Sequence, residues 1–355
     1  MELFHAHNQW ATRPADERFN SLEDLYAATH RYAASAVEAT VPWSDLRAEA
    51  DGDEVFVTGG SGRFAKLTHY AFGQLARKVE APANYLRSLA PTLAAQNLNF
   101  GLKRVSVTEG TDAKLLFHEN GSLLLRAATS EKYARIWNWE VVGRLIEFCQ
   151  KTGMVPAEAT IRKFNDDKAL YASDHDMFAF VMSPDKVIVD PVGQPLRRGL
   201  IAVNSEVGDK SLQLLKFYFR DICGNHIIWG AEQVFELRYN HVGSVSERWT
   251  EGLVEARRYI DGSASFDQAQ FDKVTIPIAG TKDEVLDTLF GKKSVGLSRK
   301  ALEASYDAVV PEQDGDPRSP WGIAQGVTRF SQQSTYAEDR QALDRAAGKI
   351  LQITF

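Results

Sequence analysis

LLLRAATSEKYARIWNWEVVGRLIEF, residues 123–148, runs from an apolar segment through a basic and aromatic connector into a helical pattern. Leu123, Leu124 and Leu125 begin a strand, and Val141, Leu145, Ile146 and Phe148 recur at the spacing of one helix face, which predicts a helix over 137–151. In the connector, Arg126, Lys132 and Arg135 alternate with Tyr133, Trp137 and Trp139, while Ser130 and Asn138 add neutral hydrogen-bonding groups. A strand-to-helix turn gathers amides and side chains on one spot. Arg and Lys suit phosphate oxygens and aromatic faces suit exposed bases. Trp137 and Trp139 cannot share one helix face, so one of them belongs to the core. A plainer reading remains open: both tryptophans pack, and the arginines cap helices or pair with Glu131 and Glu140.

Upstream, residues 113–129 (AKLLFHENGSLLLRAAT) carry an Asn-Gly reversal at Asn120 and Gly121, a hairpin signal. Residues 53–68 (DEVFVTGGSGRFAKLT) read as a second hairpin. Gly59, Gly60 and Gly62 lack both the Lys-Ser/Thr ending of a phosphate loop and dinucleotide spacing, which leaves a tight turn. In residues 20–40, Asn20 or Ser21 caps a helix whose stripe runs Leu22, Leu25, Tyr26, Thr29, Ala33, Val37. Residues 68–104 predict two or three helices broken near Pro82 and Pro91, and RVSVTEG, 104–110, predicts a return to strand.

Downstream, Met177, Phe178, Phe180 and Met182 mark a buried strand, followed by RGLIAVNSE (198–206) and QVFELRYNH (233–241). No strand-helix-strand unit repeats, so the fold class is α+β: an antiparallel sheet backed by helices. Helical pattern dominates from residue 244, with PEQDGDPRSP (311–320) its clearest loop. The expected organisation is a mixed α/β core over 1–243 and a mostly helical C-terminal region, 244–355, packed on it.

The 355 residues carry a net charge of −6, but unevenly. Residues 1–60 hold 4 Arg/Lys against 11 Asp/Glu; residues 61–108 hold Arg63, Lys66, Arg77, Lys78, Arg87, Lys103 and Arg104 against Glu80 alone. A polyanion finds a basic surface on such a chain, unless the two segments neutralise each other. No stretch reaches 18 uninterrupted apolar residues and MELFHAHNQW is unlike a secretory signal, so no membrane partner and a cytoplasmic location are expected. Cys149 and Cys223 make no disulfide framework or zinc pair.

Catalytic signatures are sparse. Asp174-His175-Asp176 offers oxygen and nitrogen ligands for a divalent ion, but adjacent residues diverge and no third spaced ligand is evident. His5 and His7, Cys223 with His226, and the carboxylate pairs Asp166/Asp167 and Glu131/Glu140 have no positioning motif beside them. A second polar constellation joins Asn204, Ser205, Glu206, Gly208 and Lys210 to Lys216, Arg220 and Cys223-Gly224-Asn225-His226.

Four segments carry a resemblance: FAKLTHYAFGQLARKVEAPANYLRSL (64–89), LLRAATSEKYARIWNWEVV (124–142), AVNSEVGDKSLQL (202–214) with CGNHIIW (223–229), and SPWGIAQGVTRFSQQ (319–333). In this order they resemble a family of phage- and plasmid-borne proteins of largely unassigned function. Cys223-Gly224-Asn225-His226 departs from that family's pattern. The mobile-element setting is similar to that of phage single-strand annealing proteins, whose general plan is an antiparallel sheet backed by helices, assembled into rings or filaments.

The leading expectation is therefore binding of single-stranded DNA or another polyanion, with strand annealing in recombination, by a homo-oligomer that needs no cofactor. Arg77, Lys78, Arg87, Lys103 and Arg104 would hold phosphates; Arg126, Ser130, Lys132, Tyr133, Arg135, Trp137 and Lys210 would form the closest groove. Two alternatives stand beside it. One is a structural or regulatory protein with a phage or host protein partner; the other is a metal-dependent hydrolase or nuclease built on Asp174, His175 and Asp176.

Overall fold

The computed structural model describes residues 15–59, 63–108, 112–157, 170–189, 193, 195–220, 226–227, 233–237, 245–262, 264–292, 295–331, 343 and 346–351. Its architecture is α+β, with two largely antiparallel sheets, each backed by helices, and a helical C-terminal stretch.

Ser21 caps the first helix, α1 (Leu22–Ala34), by accepting from the Asp24 amide at 3.0 Å. The helix stops at Ser35, so Val37 leaves the expected stripe and joins strand β2 (Ala36–Pro42). β1 (Arg18–Phe19) belongs to the second sheet, and β3 (Arg47–Asp51), β4 (Glu54–Gly59), β5 (Arg63–Leu67), β6 (Asp112–Asn120) and β7 (Ser122–Ser130) join β2 in the first, ordered β2-β6-β7-β5-β4-β3. Both expected hairpins are present: β4 pairs with β5, and Asn120 faces Ser122 across Gly121, whose φ of +69° suits glycine. Among the described residues of this sheet only β5 and β7 run parallel, since helices α2 (His69–Lys78), α3 (Ala83–Ser88) and α4 (Pro91–Thr108) cross between them.

Those helices cover one face of the sheet, with Phe72, Leu75, Leu98 and Leu102 packed on Leu46, Val57, Leu115 and Leu125. The expected strand at 104–110 is not formed over its described part. Val105 extends the buried stripe Ala94, Ala95, Leu98 and Leu102, and this packing on the sheet outweighs the strand propensity of a valine-rich segment.

Helix α5 (Asn138–Thr152) ends at Gly153, left-handed at φ +74°. The second sheet gathers β1, β8 (Val155–Pro156), β9 (Leu170–Ala172), β10 (Met177–Val189), β11 (Pro195–Asn204), β12 (Leu212–Arg220), β13 (His226–Ile227) and β14 (Gln233–Leu237) around the meander β10-β11-β12. Its strands alternate between two buried faces. Met177, Ala179, Val181, Leu200 and Ala202 meet α1 and α5, whereas Phe178, Phe180, Ile201 and Val203 pack on the other side.

Helices α6 (Val245–Ile260), α7 (Ala264–Thr275), α8 (Lys282–Gly291), α9 (Arg299–Asp307), α10 (Pro311–Asp314) and α11 (Pro320–Ser331) follow. Trp249 and Ala256 of α6 join the core of the second sheet, and the later helices enclose Phe271, Leu286, Leu302 and Trp321. Part of the expected loop at 311–320 is helical, because Pro311 suits a first helical turn and Asp314 accepts from the Val310 amide at 2.9 Å.

Candidate functional site

The two sheets meet where the turn after β11, residues 205–210, lies on the back of β6 and β7. Leu116, Ala127 and Val207 form the apolar contact, flanked by Tyr70 and Trp137. Gln74 of α2 bridges the seam, accepting from the Ala128 amide at 2.9 Å and donating to the Val207 carbonyl at 2.8 Å. Gly208 sits at φ +84°, and a Cβ there would lie 3.1 Å from the Tyr133 ring, so both backbone and space favour glycine.

Residues 126–138 of the first polar constellation and 204–206 of the second converge here as an internal clamp, while Cys223, Gly224 and Asn225 of the second lie outside the described residues. Arg126 donates to the Asp174 carbonyl from Nε (3.1 Å) and Nη2 (2.7 Å), and from Nη2 to Glu206 at 3.0 Å. The other Glu206 oxygen accepts from the Asn138 amide at 3.0 Å, a carboxylate at the positive end of α5, whose N-cap residue Trp137 makes no side-chain cap. Asn204 donates to Ile136 O and to Asn138 Oδ1. Arg135 pairs with Glu38 at 2.6 Å, donates to the Glu206 carbonyl, and lies over the Tyr133 and Trp137 rings.

These contacts correct the expected inner groove. Arg126 and Tyr133 are only 3% and 7% exposed, and the Arg135 side chain 4%, so all three belong to the clamp and do not floor an open track. Glu206 is the physical reason: it supplies the charge that lets Arg126 be buried. Ser130 and Lys132 are exposed at the end of β7, and Trp137 is half-buried in the seam. Trp139, also half-buried, packs on Tyr26 and His30.

The remaining expected cations lie on α2, α3, α4 and the turn after β11. Arg77 is exposed on α2 and hydrogen-bonds Tyr70; Lys78 lies 5.0 Å from the Trp43 ring centre. Lys103 and Arg104 are exposed on α4. Arg87 donates to His69 O at 2.9 Å, and Lys210 lies 3.4 Å from Asp209. Cys149 is buried in α5; Cys223, Asp166, Asp167, His5 and His7 lie outside the described residues.

Beside the clamp, the 173–176 turn builds a metal-like cluster with a ligand that the sequence did not reveal. Ser173 Oγ donates to Asp176 Oδ1 at 2.7 Å and accepts from the amides of His175 and Asp176, fixing the turn. His175 Nδ1 is 2.7 Å from Asp174 Oδ1, and Nε2 is 3.7 Å from Asp176 Oδ2. Ser205 Oγ donates to His175 O at 2.6 Å and accepts from the Asp209 amide at 3.0 Å, which ties the two turns together. One ligand atom each from His175, Asp176 and Asp209 lies within 4.8 Å of the others. Asp174, expected as a ligand, instead pairs with His175 Nδ1, and Asp209 is the third residue of the close group.

Asp176 is 2% exposed, and the Tyr70 ring stacks on His175 with centres 6.2 Å apart. Burial pulls the His175 pKa down, but the hydrogen bond to Asp174 and the charges of Asp176, Asp174 and Asp209 outweigh it and hold the imidazole above its ordinary value. The hydrogen bond from His175 holds Asp174 below the usual carboxylate range. Burial, followed by the charge of Asp209, pushes the Tyr70 phenol up to about 12. Tyr70 and Asp209 were missed because nothing local marks them; the fold alone brings residues 70, 175 and 209 together.

No protein-family model matches the chain, and no curated protein or solved structure matches it either.

Proposed function

We propose that the protein binds a divalent cation at His175, Asp176 and Asp209 and acts hydrolytically on phosphate esters, the chemistry of nucleases and related hydrolases. The observation that carries this reading is the closeness of the three ligand atoms, all within 4.8 Å of one another. Two ligands about 2.1 Å from one ion at ordinary coordination angles stand roughly 3 to 3.5 Å apart. The 3.7 Å between His175 Nε2 and Asp176 Oδ2 approaches that spacing. A carboxylate on the far ring nitrogen, here Asp174, is the usual outer partner of a metal-binding histidine.

One nitrogen and two carboxylates suit Mn²⁺ or Zn²⁺ and leave coordination positions for water and a phosphate oxygen. A bound cation lowers the pKa of its water and screens charge gathering on the phosphate. In the hydrolysis, water oxygen bonds to phosphorus, the ester P–O bond breaks, and the departing oxygen takes up a proton. The nearby cations Lys210 and Arg77 favour an anionic substrate.

Calorimetric titration of Mn²⁺ into the wild type and Asp209→Asn tests the reading. Asp209 is exposed, so its replacement leaves the core intact. Saturable 1:1 binding that weakens at least tenfold in D209N, with Mn²⁺-dependent release of nitrophenol from bis(4-nitrophenyl) phosphate, is expected. Absence of Mn²⁺ binding by the folded wild type rejects the reading.

A second reading, single-strand binding without hydrolysis, is favoured by the outer face of α4. Phe100 is 67% exposed, with the exposed Lys103 and Arg104 three and four residues further along the helix. An aromatic platform beside cations suits an unpaired strand, and stacking contributes about 1–3 kcal/mol per base. Oligothymidylate affinity that falls steeply with salt, and falls again in Phe100→Ala, supports it; salt-independent or undetectable binding removes it.

A further inference from the structure

We infer that the pocket between helices α1, α5 and α6 binds a small organic ammonium ion, its charged head held by aromatic rings and two carboxylates and its body resting on apolar wall. None of His175, Asp176 and Asp209 lines this pocket, so it is a second site that does not depend on the metal reading.

The pocket has a volume of about 420 Å³, the size of a site for one small molecule. Tyr26 of α1, Trp139 of α5 and Trp249 of α6 bring rings to it from three helices, and Ile136 and Leu212 add apolar wall. The Tyr26 and Trp139 rings stand nearly perpendicular, at 83° with centres 6.3 Å apart, as neighbouring sides of a cage do. Gly143 lets the Tyr26 ring lie close to α5, since a Cβ there would be 3.3 Å from it. The faces of such rings attract a cation, Trp most strongly, and quaternary ammonium groups are held in this way. Among the described residues, no Lys or Arg lies over any of the three rings.

Charge sets the sign of the ligand. Glu140 and Glu147 are exposed on the pocket lining, seven residues apart and so on one face of α5. Neither carboxylate has a hydrogen bond or ion pair among the described residues. Arg144, which lies between them in sequence and also lines the pocket, already has a contact of its own. Two carboxylates against one guanidinium leave the lining negative, which draws in a cation and repels a phosphate. The two glutamates are about 10 Å apart along the helix axis. That spacing and the apolar wall favour a bulky organic cation over a bare metal ion, which needs converging oxygens. Trp249 is 2% exposed, and its indole N–H has no acceptor among the described residues. An oxygen on the ligand would supply one.

The probe is choline, which joins an ammonium head to a hydroxyl oxygen. Its control is 3,3-dimethyl-1-butanol, the same shape without the charge. Calorimetry compares the wild type, the double variant Glu140→Gln with Glu147→Gln, Trp139→Leu and Trp139→Phe, with circular dichroism confirming that each is folded. Choline is expected to bind the wild type about tenfold more tightly than the neutral alcohol, and to lose most of that preference in the double glutamine variant. W139L should weaken choline binding by about tenfold and W139F by less, because Phe keeps a ring face. Three results would overturn the inference: no choline binding by the folded wild type, equal affinity for choline and the alcohol, or choline binding indifferent to the glutamine changes.

Discussion

Arg126 and Glu206, 80 residues apart in sequence, share a 3.0 Å ion pair in which the two side chains are 3% and 1% exposed. Removing one partner of such a pair strands the other charge in the interior, at a cost of about 3–5 kcal/mol. Glu206→Gln is expected to lower stability by that order, and Arg126→Met with Glu206→Leu by less than the sum of the single changes. Urea unfolding of the single and double variants measures both. Additive losses would mean that the two side chains do not act as a pair.

Gly101 lies where α4 crosses the end of α2, and a Cβ there would overlap the Cβ of Val79. Gly101→Ala is expected to destabilise by about 1–3 kcal/mol, as overpacking does. Adding Val79→Ala makes room, so the G101A penalty should shrink in that background when melting temperatures are compared. An undiminished penalty would place the strain elsewhere.

Burial, followed by the charge of Arg126, holds His118 below its ordinary value of 6.5. The unfolded chain therefore takes up a proton near 6.5 that the folded chain accepts only at lower pH. This contribution to stability is complete above 6.5 and is lost as pH falls through the window beneath it. His175, raised, has the opposite sign: its contribution is present below 6.5 and lost as pH rises through its folded value. Between about pH 7.5 and about pH 5.5, His118→Gln is expected to lose less of its urea midpoint than the wild type does. Identical slopes would contradict the assignment.

Burial, with a smaller push from Glu23, raises the Cys149 thiol to about 12. Little thiolate then exists at neutral pH. In a Cys223→Ser background, native protein should resist iodoacetamide, and alkylation should track unfolding across a urea series. Rapid labelling of the native state would show that the thiol is accessible.

Much of the fold could be read from local pattern. The Asn-Gly hairpin, the Ser21 cap and the alternation around Phe178 and Phe180 each state their structure within a few residues. Misreadings came where tertiary packing decides. Val105 sits in a segment of strand composition, yet its fit beneath the first sheet makes it helical. The site was less legible for the same reason. Sequence showed that residues 126–139 and 204–210 are unusual, but a basic and aromatic run reads alike whether it faces solvent or a buried carboxylate. Only the placement of Glu206 decides between those outcomes. Likewise His175 and Asp176 were visible as ligand types, whereas Asp209 is 33 residues beyond Asp176 and is brought in by the Ser205 bonds.

The proposed cation site admits a direct measurement: an anomalous difference map from crystals of the protein grown with Mn²⁺. A single strong peak about 2.2 Å from His175 Nε2 and from carboxylate oxygens of Asp176 and Asp209 is the expected result. Crystals with no peak at that seam, or with manganese bound only at unrelated surface carboxylates, would contradict it.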